Sequence, residues 1–286
     1  MKKIDLHVHS TASDGTFKPK ELLSLAKEQN LSALALTDHD TTDGIQEALE
    51  ASKELNIELI PGIELSTDYK GKEIHILGLY IDVKNADFSK QLADFKSSRA
   101  HRNVRMAEKL REEGFPITME QIHQTFPDRI LTRAHFARYL ADHGYVKNMD
   151  QVFQKYLGDG CRCYVPREKI SPFEAIDLIH KGGGLAFFAH PLLCNMNYDL
   201  LYYVMKSMAD AGLDGIEAFY SSYSTKEEQN MKRFAEKLGI LICGGSDFHG
   251  TNKPYIQLGS GRGNLSVPYT VLEDIKSKLI VSNNLL

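Results

Sequence analysis

Apolar and polar positions along this 286-residue chain follow two different periods. Lys3–His9 reads as an extended segment, and Leu31–Thr37, Ile57–Glu64 and Glu73–Ile81 read as three more strands. Helical spacing separates the early ones. It appears in the run Glu21-Leu22-Leu23-Ser24-Leu25-Ala26, with Thr16 ahead of it and Pro19 near its first turn, and again over Ile45–Leu55. Strands alternating with helices predict βα units rather than a sandwich. From about 88 to 157 the rhythm breaks into helices alone, near 88–113, 118–125, 132–143 and 149–157, with Gly114-Phe115-Pro116 and Gly144 as stops. The βα pattern then resumes. A helix over 172–181 ends at Gly182-Gly183-Gly184, and strands follow at 185–189, 214–218 and 240–245. Between the last two, a helix starts at Ser224-Thr225 with Glu227-Glu228 in its first turn, and a final helix covers about 268–280. The expected architecture is an α/β barrel built from 1–87 and 158–286, interrupted by a helical cap insertion over 88–157.

Composition adds limits. Apolar residues make up 42% of the chain, enough for a large core, while charged residues make up 25% and the net charge is −4. That balance argues against binding nucleic acid or a membrane surface through bulk charge. No apolar run approaches the ~18 residues of a membrane span, and the opening Met1-Lys2-Lys3-Ile4-Asp5 lacks the apolar core of a secretory signal. A cytoplasmic location is therefore expected, with Cys161, Cys163, Cys194 and Cys243 as reduced, non-catalytic thiols. Cys161-Arg162-Cys163 is too tightly spaced for the usual paired-cysteine zinc sites.

The candidate chemistry lies at the strand ends. Asp5-Leu6-His7-Val8-His9, Asp14, Thr37-Asp38-His39-Asp40, Glu64, His75, Ala189-His190-Pro191 and Ser246-Asp247-Phe248-His249 place imidazoles and carboxylates there repeatedly. In a strand, residues i and i+2 project to one face about 6.5–7 Å apart. His7 with His9, and Asp247 with His249, can therefore each converge on a divalent ion. A lone His-x-His is a weak signal, His75 alone reads equally as a core histidine, and Glu64 alone as a cap or surface charge. Taken together at the rim where barrel enzymes gather catalytic residues, they predict a multinuclear metal centre and hydrolysis. Asp5, Asp38 and Asp40 flank the ligands and are expected to orient imidazoles or handle protons, the competing reading being turn and cap residues.

The motifs Asp5-Leu6-His7-Val8-His9-Ser10, Ser13-Asp14-Gly15, Leu36-Thr37-Asp38-His39-Asp40-Thr41, Gly62-Ile63-Glu64, Ala189-His190-Pro191 and Ser246-Asp247-Phe248-His249 resemble the motif set of the PHP family of phosphoesterases, named for polymerase and histidinol phosphatase. The resemblance implies a distorted seven-stranded (β/α) barrel with a trinuclear site of divalent ions, manganese, zinc or iron. It implies one ion on His7, His9, Glu64 and Asp247, a second on Glu64, His75 and His190, and a third on Asp14, His39 and His249. Three such ions, less three carboxylates and a bridging hydroxide, leave roughly two positive charges. That surplus suits a phosphate ester dianion attacked by metal hydroxide, with no covalent enzyme intermediate.

Two groups in the insertion bear on the substrate. Arg99-Ala100-His101-Arg102-Asn103-Val104-Arg105 spaces arginines three apart on a helix face, and Arg129-Ile130-Leu131-Thr132-Arg133-Ala134-His135 resembles an Arg-x-His element that lies over the metal site in relatives with a similar cap. Guanidinium forks suit phosphate oxygens, so Arg102, Arg133 and His135 are expected phosphate contacts, with intrahelical ion pairs on a solvated face as the competing reading. His101, His123, His143 and His180 are expected to be structural or on the surface. The motifs most resemble a branch acting on nucleoside 3′,5′-bisphosphates and short RNA. A histidinol-phosphate-type phosphatase is the alternative. An amidohydrolase-like barrel also opens with His-x-His, but has no place for Asp14 and His39 and commonly bridges its metals with a modified lysine where Glu64 stands here. A non-catalytic metal-stabilised module would be expected to have lost ligands. The expected partner is a small phosphorylated substrate, with no membrane and no obligate protein partner.

Overall fold

A computed structural model describes residues 2–127, 131–165 and 170–283, apart from the side chains of 96–99 and 282–283. The chain forms two compact units, one of 1–91 with 170–286 and one of 92–169. Periodicity placed those boundaries at 88 and 157. The first unit holds β1 (Lys3–Val8), α1 (Pro19–Glu28), β2 (Leu31–Leu36), α2 (Ile45–Leu55), β3 (Glu58–Tyr69) and β4 (Lys72–Leu79). After the start of α3 (Ala86–Glu112), most of which belongs to the second unit, come α4 (Met119–Thr125), α5 (Arg133–Asp142) and α6 (Met149–Val152). The first unit resumes with α7 (Pro172–Lys181), β5 (Leu185–Phe188), α8 (Tyr198–Asp210), β6 (Gly215–Tyr220), α9 (Thr225–Leu238), β7 (Leu241–Gly245), β8 (Val267–Pro268) and α10 (Thr270–Asn283).

Local chemistry fixes many of these ends. Pro172 and Pro19 open α7 and α1 with φ already helical. Ser171 with Glu174, and Ser224 with Glu227, make reciprocal capping boxes. Gly239 closes α9 in the left-handed conformation that costs glycine nothing.

The sheet order is β7-β6-β5-β4-β3-β2-β1-β8. β1, β2 and β3 run parallel, as do β5, β6 and β7, whereas β4 is antiparallel to both its neighbours. Two departures from the sequence expectation follow. The described residues contain eight strands, because Val267–Pro268 pairs antiparallel with β1 just where the last helix was expected to begin. β3 also runs past Glu64 to Tyr69 and turns at Lys70-Gly71, both at positive φ, into the β4 strand of a hairpin. Periodicity carries no strand direction, so a hairpin inside a βα series stayed invisible to it.

The sheet nearly closes. Val8 and Phe248 form a parallel bridge, the His9 amide donates to the Phe248 carbonyl at 3.0 Å, and the Asp247 amide donates to the His7 carbonyl at 2.9 Å. One buried cluster joins Ile4, Leu6, Leu77, Phe187 and Ile275, and another packs Val8, Leu34 and Leu36 against Leu22 and Ile45 of α1 and α2. The helical unit has its own core of Met106, Leu110, Phe136, Leu140, Val152 and Leu157. No helix among the described residues is long and apolar enough to cross a membrane.

Candidate metal centre

The nine sequence-predicted ligands of the barrel unit come together. His7 lies on β1 and His9 one residue beyond it; Asp14 sits in the following loop, His39 after β2, Glu64 within β3, His75 within β4, His190 after β5, and Asp247 with His249 after β7. Contrary to the expectation from sequence, His75 is not at a strand's C-terminal end. It faces Ser66 early in β4, and the reversed run of that strand carries it to the same place.

Glu64 is the centre of the cluster. Its Oε1 is 2.8 Å from His75 Nδ1 and 2.9 Å from His190 Nε2, and its Oε2 is 3.3 Å from His7 Nε2, 3.2 Å from His9 Nε2 and 3.1 Å from His39 Nδ1. Asp247 Oδ1 lies 3.3 Å from His9 Nε2 and 3.4 Å from His249 Nδ1. Asp14 Oδ1 is 3.3 Å from His249 Nε2 and its Oδ2 is 3.8 Å from His39 Nε2. Four ligand groups result: His9-Asp14-His39-His249, His7-Glu64-His190, His7-His9-Asp247 and His39-Glu64-His75. The first and third overlap the expected partition, while His75 and His190 group with different histidines.

The donor set fits divalent cations. Fully buried polar atoms are normally hydrogen-bonded. Here His7 Nε2, both ring nitrogens of His9, His39 Nδ1, Glu64 Oε2 and His190 Nδ1 are buried without a well-formed hydrogen bond. Mixed imidazole and carboxylate donors are what such ions bind. Burial by itself opposes ionisation of Glu64, Asp14 and Asp247, yet the surrounding imidazoles, with Lys253 beside Asp247, hold all three well below the usual carboxylate range. Burial pushes the His39 imidazole well down. Burial also pulls His75 down, but the Glu64 carboxylate more than offsets it and lifts that ring to about 9. The metal-free cluster is a set of ionised carboxylates with unevenly protonated imidazoles, a proton load that cations would displace.

Backbone strain marks the same loops. His190, Asp247 and Asp40 adopt positive φ of 32°, 55° and 53°. Such residues persist where surrounding structure fixes them, often at functional sites. At Gly15 a Cβ would collide with the His9 and Ser10 carbonyls, so only glycine lets the loop fold back to present Asp14.

The flanking aspartates hold backbone. Asp5 accepts amide hydrogens from Ser246 and Gly259 at 2.8 Å each and from His7 at 3.3 Å; burial raises its carboxyl to about 6 despite them. Asp38 accepts from the amides and hydroxyls of Ser10 and Ser13, bracing the turn before Asp14. Asp40 accepts from the Ser66 amide at 2.8 Å.

Three further residues were missed. Glu217 on β6 meets His7 Nδ1 at 3.1 Å. The Tyr220 hydroxyl and the Lys253 ammonium donate to Asp247 Oδ2 at 2.7 and 2.6 Å, leaving Oδ1 toward the histidines. A carboxylate inside the apolar run Gly215-Ile216-Glu217-Ala218-Phe219 was the one available signal for the first. Lys253 and Tyr220 had none, since both depend on loop paths.

In the helical unit, Arg133 donates to Asp159 at 2.7 Å and to the Leu157 carbonyl at 3.3 Å. His135 Nδ1 accepts from the Thr132 amide at 2.9 Å and so caps α5. Arg102 is buried. Arg129 and Ile130, and the side chain of Arg99, lie outside what the structure describes.

The PHP domain model matches residues 5–251. A 5′-3′ exoribonuclease from Haemophilus influenzae is 40% identical over 248 residues, covering 87% of this chain and 90% of that protein. A 3′,5′-nucleoside bisphosphate phosphatase from Chromobacterium violaceum is 34% identical over 250 residues, covering 87% and 88%. Among solved structures, a candidate metal-dependent phosphoesterase from Bifidobacterium adolescentis superimposes with a TM-score of 0.85 at 28% identity, covering 96% of this chain and 95% of that one. A Chromobacterium violaceum protein described as an amidohydrolase, with bound sulfate and no metal, also gives 0.85, at 31% identity and 96% coverage of both chains. Fold, donor set and these likenesses define a metal-dependent phosphoesterase that uses divalent ions. The chain belongs to the PHP family.

Proposed function

We propose that this protein hydrolyses phosphate esters of small nucleotides, with nucleoside 3′,5′-bisphosphates and short oligoribonucleotides as its substrate classes. The observation that carries the reading is Glu64 ringed by five imidazoles within 3.3 Å, several of whose nitrogens are buried without a well-formed hydrogen bond. The names of the relatives supply the nucleotide and RNA classes.

We read the centre as holding three divalent ions on His7, His9, Asp14, His39, Glu64, His75, His190, Asp247 and His249, with manganese, zinc or iron suited to that donor set. When bound, the ions supply Lewis-acid charge and lower the pKa of coordinated water. The chain's own part is to present them. Tyr220 and Lys253 occupy Asp247 Oδ2 so that Oδ1 faces His9. Asp5, Asp38 and Asp40 hold the ligand-bearing loops through backbone amides, and we extend their role to proton handling. Phosphate contact by Arg102, Arg133 and His135 is supported by guanidinium and imidazole chemistry. Because Arg133 already pairs with Asp159, substrate would have to share it. Arg133→Ala should raise KM for phosphate esters several-fold with metal content unchanged; unaltered kinetics would remove that assignment. We place the reaction in the cytoplasm, where four free thiols stay reduced.

The test is metal analysis followed by phosphate release from a nucleoside 3′,5′-bisphosphate, a short 5′-phosphorylated RNA and an aryl phosphate, each with manganese, zinc or iron. Turnover of an amide, with none of the phosphate esters cleaved, would overturn the reading.

A further inference from the structure

Glu217 is fully buried on β6, and none of the motifs that define the metal centre contains it. Its two oxygens are divided. Oε1 lies 3.1 Å from His7 Nδ1, and Oε2 accepts the backbone amide of His190 at 2.7 Å. These partners belong to opposite parts of the barrel, one on β1 and the other just after β5. Their rings stack at 5.6 Å, and both reach Glu64, His7 through Nε2 at 3.3 Å and His190 through Nε2 at 2.9 Å. Glu217 therefore stands directly behind the His7-Glu64-His190 ligand group.

Each contact does something a ligand needs. A carboxylate only accepts, so Glu217 keeps a hydrogen on His7 Nδ1, and once the ring gives up its second proton the lone pair is on Nε2, the atom that is buried without a hydrogen bond. The His190 amide is held in a left-handed conformation, φ 32° and ψ 57°, that a residue with a Cβ adopts only when fixed. Pro191 follows, which disfavours the ordinary helical alternative at His190. The pairing of β6 with β7 shifts register between Glu217 and Phe219, the sort of irregularity that re-aims a side chain beside a site.

We propose that Glu217 is a positioning residue that sets the His7 tautomer and the His190 backbone together, and so supports the part of the centre built on those two ligands. This rests on the metal-centre reading above. It also makes Gln a severe change. Both partners are N–H donors, and an amide has one oxygen, so Glu217→Gln must turn its NH₂ toward a donor. The group His9-Asp14-His39-His249 has no contact with Glu217 and should be spared.

The experiment uses the full chain loaded with zinc, dialysed, and analysed for bound metal, with circular dichroism as a check on folding. Glu217→Gln should lose at least one equivalent of zinc relative to wild type, or bind it 10–100-fold more weakly, the range for partners that hold a ligand. The ion on His9, Asp14, His39 and His249 should stay. Glu217→Asp, which keeps two accepting oxygens, should recover part of the loss. In wild type, nitrogen-15 spectra of the zinc-loaded protein should show His7 protonated at Nδ1 and ligating through Nε2, a readout that needs no variant to fold. Wild type and Glu217→Gln binding equal zinc with equal affinity would overturn the role of Glu217 alone, as would His7 ligating through Nδ1. Wild type that binds no divalent ion would overturn this and the function together.

Discussion

At the scale of residues, a single carboxylate decides how much charge this site can hold. Glu64 has no exposed surface, and its two oxygens serve separate histidines, His75 and His190 on one side and His7, His9 and His39 on the other. Neutralising it leaves the imidazoles without their common counter-charge. Glu64→Gln should cut divalent-metal affinity by more than about 100-fold, beyond the loss expected for a residue that only supports a ligand. Isothermal titration with manganese or zinc measures this, and near-wild-type affinity would show that Glu64 does not bridge. Glu64 and eight companions could be named from the sequence because their residue types and order are specific. Glu217, Tyr220 and Lys253 could not, because nothing in a lone Glu, Tyr or Lys announces what it will touch after folding.

At the scale of elements, ligand strands β1 and β7 must approach unusually closely for the barrel to close. Gly245 makes this possible. A Cβ there would lie 2.5 Å from the His7 Cβ and 2.7 Å from Asp5 Oδ1, against the backbone of β1. Gly245→Ala should destabilise the protein by about 1–3 kcal/mol, the range for overpacking, and weaken metal binding because His7 is displaced with it. A denaturant midpoint equal to wild type would mean that the two strands can separate freely. The helix start at Ser224-Thr225 was legible, since a cap acts over four residues. The β3–β4 hairpin and the two-residue β8 were not, because strand direction and edge pairing are decided by distant partners.

At the scale of the whole molecule, proton and metal binding compete for the same barrel interior. In the metal-free protein, burial pulls the rings of His9 and His75 down, but Asp247 and Glu64 for the first and Glu64 for the second raise each from 6.5 to about 9. A raised histidine stabilises the fold fully below about pH 6.5 and loses that contribution as pH climbs through about 9. Burial pushes His39 and His249 the other way, so their contributions change toward lower pH. The metal-free protein should therefore melt at progressively lower temperature between pH 6.5 and 9. Saturating divalent metal should remove that decline, because ligating imidazoles are already deprotonated, and metal affinity should rise over the same range. Thermal scans with chelator and with metal check both; a metal-free melting temperature that is flat across the window would refute the argument.

Residue types, their order and their local spacing determined the alternation of strands and helices and the choice of nine residues as candidate metal ligands, because each depends on chemistry within a few positions of the chain. Tertiary structure alone decided the reversal of β4 that brings His75 to Glu64, the division of Asp247 between histidines and Lys253, and the pairing of Glu217 with His7 across 210 positions. Those contacts exist only once the sheet curls until β1 meets the loop after β7, and no short-range pattern encodes where a closing sheet places its side chains.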